Sequence, residues 1–292
     1  AIRDLALAEP DRDVRKTAVA LLEDPNALAF VARQDSDPVL RALAARKLDD
    51  QALLRQIALQ DADPVVRKAA AERLADPDAL ARLAVADADP AVRTAAVGRM
   101  TNAALAVVAA QDADPLVRLA AVGRLEDPEV IRAVALSETN AAVRVAAAQR
   151  LQDQPTLRLL ALSDHDVAVR AAAVERLDDQ AALEQIVRRD DAPPVRARAA
   201  ARLVDQSLLR EVALQDASRP VRAAAVGRIT DPAILAVLAR QADPFVRTLA
   251  VAKSTDQSLL AAVARADPAP EVRARAAALL DDPKDLESLA MR

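Results

Sequence analysis

Residues 61–80 read DADPVVRKAAAERLADPDAL, and this stretch recurs with small changes along the whole chain. Its clearest feature is a Val-Arg dipeptide, once Leu-Arg, that is present eleven times. We call its arginines the marker arginines: Arg15, Arg41, Arg67, Arg93, Arg118, Arg144, Arg170, Arg196, Arg222, Arg247 and Arg273. Consecutive marker arginines are 26 residues apart, except for two spacings of 25. A fixed period of this length predicts one array over residues 1–292, with eleven repeats and with residues 1–8 ending a preceding repeat.

Each repeat begins with an apolar stripe at helical spacing. In the third repeat, Val66, Ala70 and Leu74 stand at i, i+4 and i+8. An alanine follows every marker arginine by three residues, and a Leu, Ile or Met follows by seven in every repeat except the tenth, which has Ser254. This pattern predicts an amphipathic first helix that carries the marker arginine.

A second helix is predicted to begin nine residues after the marker arginine. There an acidic or amide residue that suits an N-cap stands in every repeat: Asp24, Asp50, Asp76, Asn102, Asp127, Asp153, Asp179, Asp205, Asp231, Asp256 and Asp282. The next residue is Pro or Gln in ten of the eleven repeats, and Pro suits the first helical position. Helices of about nine to eleven residues are unstable alone. We therefore expect an all-α, right-handed α-solenoid in which neighbouring repeats support one another.

The composition limits the kinds of core and site that the chain can build. Hydrophobic residues make up 53% of the 292 residues, but aromatic residues only 1%, so Ala, Leu, Val and Ile must form the core. With no Cys and a single His, the chain cannot form disulfides or thiolate metal sites. The net charge of −4 gives no general attraction to phosphate backbones. No apolar run approaches the roughly 20 residues of a membrane span.

The Asp-Pro-Val-Val-Arg sequence of residues 63–67 carries a resemblance to known families. It resembles HEAT-like repeats, and most of all the short bacterial HEAT-like repeats and the leucine-rich repeat variant family. The resemblance covers essentially the whole chain and implies an α-solenoid, but it implies little about function, because such arrays serve many roles. In the leucine-rich repeat variant family the second helix is short and of the 3₁₀ type, so the type of second helix stays open here.

The ordinary leucine-rich repeat is the alternative at this period. It needs a strand with alternating apolar residues and a ladder of Asn. Pro and Asp stand where that strand would lie, so we do not expect this fold.

The marker arginines allow two interpretations. Evenly spaced guanidinium groups could bind phosphates, but an acidic residue precedes the marker arginine by six positions in ten of eleven repeats. We therefore predict a structural ladder of Arg–carboxylate pairs that ties each turn to its neighbour. The predicted ladder comprises Arg41, Arg67, Arg93, Arg118, Arg144, Arg170, Arg196 and Arg222.

Six positions after the marker arginine lies a further set of cations, which we call the second basic row. It consists of Lys47, Arg73, Arg99, Arg124, Arg150, Arg176, Arg202, Arg228 and Lys253. We expect the alkyl stems to cover apolar surface while the charged heads stay in water. A nucleic-acid track is the alternative, but the absence of Tyr and Trp removes the usual stacking platforms, so nucleic acid is not an expected partner.

The sequence contains no pattern that points to an enzyme. His165 stands between Asp164 and Asp166 in one turn of one repeat, which favours a solvated loop over a metal site. No Ser, Lys or carboxylate departs from the repeat pattern as a nucleophile or base would. We predict no catalytic residue, no cofactor and no metal.

The candidate partner-binding face lies where the repeats differ and face solvent, at the positions one, five and eight residues after the marker arginine, of which the first two supply the candidate residues. It comprises Arg46, Lys68, Glu72, Thr94, Gly98, Leu119, Gly123, Val145, Gln149 and Glu175. All three glycines of the protein, Gly98, Gly123 and Gly227, share the second of these positions. Glycine weakens a helix, so either a bound segment or a neighbouring helix is expected to approach closely there. Leu119 and Val145 are expected to be exposed beside Gly98 and Gly123, and two interpretations stay open: a small apolar patch that serves as a peptide-docking groove, or a smooth Ala-rich wall.

These features together predict a non-catalytic scaffold that binds a protein or peptide partner along an extended surface. The alternative is a structural element that assembles through its ends, because neither end has the polar capping repeat that solenoids use. A less favoured alternative is a nucleic-acid-binding HEAT-like protein. We also expect a fragment of a longer protein, a bacterial-type cytoplasmic location and no membrane partner.

Overall fold

The computed structural model describes residues 1–100, 102–241 and 243–281, and these residues form 22 α-helices in tandem with no strand. The helices are α1 (Ile2–Ala8), α2 (Arg12–Leu21), α3 (Pro25–Gln34), α4 (Pro38–Ala45), α5 (Gln51–Gln60), α6 (Pro64–Ala71), α7 (Pro77–Ala86), α8 (Pro90–Val97), α9 (Asn102–Gln111), α10 (Pro115–Val122), α11 (Pro128–Ser137), α12 (Ala141–Arg150), α13 (Gln154–Ser163), α14 (Val167–Val174), α15 (Gln180–Arg189), α16 (Pro193–Ala200), α17 (Gln206–Gln215), α18 (Arg219–Arg228), α19 (Pro232–Leu238), α20 (Pro244–Lys253), α21 (Gln257–Ala266) and α22 (Pro270–Ala277). The even-numbered helices carry the marker arginines and are the first helices of the repeats. The odd-numbered helices are the second helices.

The chain forms two compact units, Ala1–Arg150 and Leu151–Arg292. Within each unit, a first helix packs against the second helix of its own repeat and against the first helices of adjacent repeats. This tandem stacking of helical pairs is the predicted all-α solenoid. That all eleven repeats form one array stays a prediction.

Aspartate side chains start the helices where the sequence predicts. The Asp76 carboxylate accepts hydrogen bonds from the backbone N–H groups of Asp78 and Ala79, at 3.0 and 3.2 Å, and Pro77 is the first helical residue. Asp63 caps the preceding first helix in the same way. These bonds satisfy N–H groups that have no partner within the helix. The predicted cap Asp282 lies outside the described residues.

Two repeats have 25 residues instead of 26, and the structure shows that each is shortened at a different place. In the fourth repeat, α9 begins at Asn102 itself, although the spacing predicts that Asn102 is the N-cap. In the ninth repeat the cap Asp231 is kept, and α19 is instead shortened to seven residues. The other eight described second helices that follow a marker arginine are all α-helices of ten residues. The second helix is therefore of the α type and not of the 3₁₀ type, which the sequence left open.

The core is built from small and branched aliphatic side chains. In the third repeat Val66, Ala70 and Leu74 are fully buried, as is Ala84 of the facing second helix. Full burial of a Val or Leu side chain contributes about 1.5–3 kcal/mol. Because each stripe is covered only when the next repeat stacks on it, these short helices depend on their neighbours.

Candidate interaction surface

Most marker arginines connect the turn of their own repeat to the turn of the next. The Arg67 Nε and Nη2 groups donate to the two carboxylate oxygens of Asp87, at 2.8 and 2.9 Å. Its Nη1 group donates to the main-chain carbonyls of Asp61 and Ala62, at 3.0 and 3.1 Å. The guanidinium is therefore held on three sides, which leaves it little freedom to bind a ligand.

The same bidentate geometry recurs through both units. Its N–O distances lie between 2.7 and 3.1 Å in seven pairs: Arg41–Asp61, Arg67–Asp87, Arg93–Asp112, Arg118–Glu138, Arg170–Asp190, Arg196–Asp216 and Arg247–Asp267. These arginine side chains are at most 15% exposed. Arg144 is buried, and its Nη1 group donates to the carbonyls of Glu138 and Thr139 at 3.0 Å each.

The pairing keeps the carboxylates ionised. The hydrogen bond from Arg118 lowers the pKa of Glu138 to about 2, in spite of partial burial. Burial acts to raise the pKa of Asp61, but hydrogen bonds from Arg41 and from the Asp63 backbone outweigh it, so this pKa also lies below its usual value. The charged pair is therefore the state that the fold favours over a wide pH range.

Arg222 departs from this arrangement. The residue in register to receive its guanidinium is Gln241, the one position in the acidic row that is not a carboxylate. Arg222 Nη2 instead donates to Asp243 at 2.8 Å. Within the described residues, its Nε group is the only buried side-chain N or O atom without a hydrogen-bond partner. The sequence places Arg222 in the predicted ladder, but in the structure Arg222 lacks the bidentate carboxylate contact that the other pairs have. We call this arrangement the incomplete rung.

The second basic row makes contacts that the sequence analysis did not predict. The sequence predicts charged heads that stay in water, and most of these side chains are exposed, but their heads also donate to main-chain carbonyls at the end of the preceding first helix. Arg176 Nε lies 2.7 Å from the Leu151 carbonyl, and Arg150 Nη1 lies 3.0 Å from the Gly123 carbonyl. A cation at a helix C-terminus satisfies orphan carbonyls and complements the helix dipole. Both basic rows are thus used to hold adjacent repeats together.

A row of glutamines adds a connection that the sequence analysis missed. Where the first residue of a second helix is Gln in place of Pro, its amide bridges to the next repeat. The Gln154 side chain donates to the Arg176 carbonyl at 3.2 Å and accepts from the Asp178 N–H at 2.8 Å. Gln51, Gln180, Gln206 and Gln257 make the equivalent contacts. The alternation of Pro with Gln at one position was the available signal.

The candidate partner-binding face is divided by the structure. The residues five positions after the marker arginine, Arg46, Glu72, Gly98, Gly123, Gln149 and Glu175, are exposed. Those one position after it, Lys68, Thr94, Leu119 and Val145, are half-buried between stacked first helices. The predicted exposed patch at Leu119 and Val145 is therefore wrong, because the adjacent repeat partly covers these side chains.

Some charged residues of the candidate partner-binding face form ion pairs with one another. Arg46 Nε lies 3.4 Å from Glu72, and Lys68 Nζ lies 4.0 Å from the same carboxylate. Further along the chain, Glu175 pairs with Arg198 at 2.6 Å. The residues between, Gly98, Gly123 and Gln149, carry no charge, and we call these three the glycine strip.

The glycines of this row are open to solvent. A Cβ atom on Gly227 would meet nothing within 4 Å, and on Gly123 it would meet only carbonyl oxygens of its own helix, at 3.5 and 3.7 Å. No described glycine has a positive φ. The sequence left open a neighbouring helix as the reason for the glycines, and that explanation is wrong, because no neighbouring helix is close enough to need them.

An exposed apolar surface that the sequence analysis did not identify lies on the second helices of the first unit. Val85 of α7, Val107 of α9 and Leu136 of α11 are 57%, 45% and 45% exposed. Charged or polar residues stand at the equivalent positions of several other repeats, which was the signal available in the sequence.

The remaining observations concern His165, metal sites and membrane spans, and they apply to the described part of the chain. The His165 side chain is 82% exposed, with its Nδ1 atom 3.6 Å from Asp164. Among the described residues, no cluster of three His, Cys, Asp or Glu could hold a metal ion. In residues 1–100, 102–241 and 243–281, no helix has the length and hydropathy needed to cross a bilayer.

Comparison with solved structures places this architecture among helical repeat proteins. A structure described as a leucine-rich repeat variant with a novel repetitive structural motif is 27% identical, covers 75% of this chain and 87% of its own, and superposes with a TM-score of 0.62. A crystal structure of importin beta in an ammonium sulfate condition is 14% identical and covers 99% of this chain and 52% of its own, with a TM-score of only 0.40. No family and no curated protein matches in sequence. The tandem helical pairs and the first of these similarities together identify the chain as a helical repeat protein of the α-solenoid class, similar to a leucine-rich repeat variant.

Proposed function

We propose that this protein is a non-catalytic scaffold that binds a protein or peptide partner on the glycine strip. Repeat solenoids commonly serve as protein-interaction scaffolds. The charged rows that could carry chemistry or bind phosphate are occupied within the fold by carboxylates and carbonyls. What stays free to differ between repeats is the exposed row that contains Gly98, Gly123 and Gln149.

The observation that supports this site most directly is the exposed main chain at the two glycines of the strip. Both have helical backbone angles, and a Cβ atom on either would meet only carbonyl oxygens of its own repeat, although Arg150 of the next repeat donates to the Gly123 carbonyl. Gly98 and Gly123 are the C-cap residues of α8 and α10, so their main-chain atoms are exposed where each helix ends. A partner segment that lies directly on the backbone gives these residues a purpose that the isolated fold does not supply.

The uncharged strip with charged residues near it in the same unit fits an extended peptide. These residues are Arg46 and Glu72, which form an ion pair at 3.4 Å. Such flanking charges fix register and orientation more than they add affinity.

The test uses the full-length chain as immobilised bait in a lysate of the organism that encodes it. Gly123→Lys places a charged side chain on the strip, and Gly227→Lys makes the same change at the same position of another repeat. We expect wild type and Gly227→Lys to capture the same protein, and Gly123→Lys to bind it about tenfold more weakly or worse. Superimposable circular-dichroism spectra would show that both variants fold. A bait that captures no protein would refute the scaffold, and equal loss in both variants would refute the glycine strip.

A further inference from the structure

Among the described residues, Arg99 and Arg124 of the second basic row have no carboxylate partner, although they lie beside the glycine strip. The preceding member of the row, Arg73, pairs with Asp49 at 2.7 Å. Arg99 and Arg124 are exposed, and their contacts are with main-chain carbonyls. At the position equivalent to Asp49, the repeat before Arg99 has an alanine and the repeat before Arg124 has a threonine, so the sequence itself omits the partner.

The carbonyl contacts use only part of each guanidinium. Arg99 donates through its Nε group, which lies 3.4 Å from the Leu74 carbonyl. Arg124 donates through its Nη2 group, which lies 3.2 Å from the Met100 carbonyl. A guanidinium has five N–H groups in a planar fork, so most donors of both side chains stay available to a ligand. Two such groups in adjacent repeats suit anionic oxygens, which arginine binds in bidentate geometry.

The next member of the row shows where these charged heads lie. Arg150 Nη1 is 3.0 Å from the Gly123 carbonyl, so the guanidinium groups border the exposed main chain of the strip. Each residue of the glycine strip also directly precedes an arginine of the row in sequence. A segment that is bound on the strip therefore lies within reach of these arginines.

Apolar side chains stand towards the N-terminal ends of the same first helices. Leu116 is 68% exposed and precedes Gly123, the C-cap of α10, by seven residues, which places it two turns away on the same face. The half-buried Leu119 lies between them. Val65 has the position of Leu116 in α6 and is 51% exposed. The surface thus offers apolar contacts at the start of the helices and cations at their end.

We propose that the segment bound on the glycine strip is an extended acidic peptide, with carboxylates that pair with Arg99 and Arg124 and an apolar side chain that packs on Leu116. This inference rests on the proposed function, because it names the chemistry of the partner at the same site. Packed helices are about 8–10 Å apart. A polyproline II segment returns to the same side at every third residue, after about 9 Å. Acidic residues three positions apart therefore match arginines of adjacent repeats.

The surroundings favour a peptide over a nucleic acid. A phosphate backbone needs a longer track of free cations, but Arg73, next in the row, is already neutralised by Asp49. The chain has no Tyr or Trp on which bases could stack. The exposed Leu116 has a use for an apolar side chain and none for a phosphate.

Fluorescence anisotropy of the full chain with a labelled synthetic peptide tests this chemistry. The probe consists of four repeats of Glu-Pro-Leu, and its control has Gln in place of every Glu. We expect the acidic probe to bind at low ionic strength and the control to bind about tenfold more weakly or worse. Equal binding of the two peptides, or binding of neither, would overturn the proposal. Tighter binding of a single-stranded oligonucleotide of the same length would overturn it in favour of a phosphate ligand.

Substitution of the two arginines tests their role directly. Combined Arg99→Gln and Arg124→Gln should weaken binding of the acidic probe about tenfold, and the same two changes to Lys should weaken it less, because the charge is kept. Lys47 has this position in the second repeat and donates to a main-chain carbonyl, so the Lys variant should fold as wild type does. Arg202→Gln is the matched control, because Arg202 is already paired with Asp178 at 2.8 Å, and it should bind as wild type does. An unchanged affinity in the double Gln variant contradicts the proposal.

The lysate experiment distinguishes this inference from the proposed function. Gly123→Lys alters the strip and leaves both arginines in place. If Gly123→Lys loses the captured protein and the double Gln variant keeps it, the scaffold stands and the acidic occupant is refuted. Loss in the double Gln variant with retention in Arg202→Gln would support the acidic occupant.

Discussion

Removal of one marker arginine should destabilise the protein far more than removal of an exposed ion pair. Arg118 donates to both carboxylate oxygens of Glu138, at 2.7 and 2.9 Å, and to the Asp112 carbonyl at 2.7 Å. Arg118→Ala deletes these bonds and leaves the Glu138 carboxylate, which is 6% exposed, without its cation. Loss of one partner of a buried pair costs about 3–5 kcal/mol. Because Glu138 keeps the hydrogen bond from the Asn140 N–H at 2.8 Å, we expect about 3 kcal/mol.

The control is an ion pair that also connects two repeats but lies in water. Arg188 Nη1 is 2.6 Å from Glu211, and the two side chains are 48% and 42% exposed. Solvent screening leaves such a pair with little net stabilisation. Arg188→Ala should therefore have a much smaller effect than Arg118→Ala, although it removes the same side chain.

Urea unfolding followed by far-ultraviolet circular dichroism gives the free energy of unfolding for wild type and both variants. The slope of the free energy against urea must agree among the three, because a changed slope signals a changed unfolding unit. A double-mutant cycle of Arg118→Ala with Glu138→Gln isolates the pairwise energy. If Arg118→Ala costs no more than Arg188→Ala, or if the cycle gives no coupling, the ladder does not hold the repeats together.

Three further outcomes are expected. The pKa of Glu138 is lowered from 4.5 to about 2 in the folded state, so its contribution is complete above pH 4.5 and is lost as the pH falls towards 2; the stability difference between wild type and Glu138→Gln should shrink over that range in urea titrations. Gln241→Glu should give the unpartnered Arg222 Nε group a carboxylate and raise the free energy of unfolding by about 1–2 kcal/mol, and an unchanged or lowered value would contradict the incomplete rung. Gly227→Ala lies inside α18, and its new Cβ has nothing within 4 Å, so it should raise the melting temperature and increase the free energy of unfolding by about 0.5–1 kcal/mol. A decrease in stability would show that the new Cβ meets a neighbouring group.

Most of the fold follows from short-range signals in the sequence. The apolar stripes such as Val66–Ala70–Leu74, the Asp caps and the Pro at first helical positions each act within one helix or one turn. Their physical basis is local, because a cap or a helical stripe needs only residues a few positions apart. The type of the second helix and the placement of the missing residue in the two shorter repeats depended on packing between repeats.

The sequence by itself determined the repeat, its two helices and the identity of the carboxylates that face the marker arginines, because both members of each pair are marked by charge at a fixed spacing. Only the tertiary structure decided what the second basic row and the glutamines contact. Their acceptors are main-chain carbonyls of an adjacent repeat, and every residue has such a carbonyl, so no residue type in the sequence reveals the partner. Tertiary packing also separated the exposed Gly123 from the half-buried Leu119, since the two lie on the same helix and only the neighbouring repeat distinguishes their surroundings.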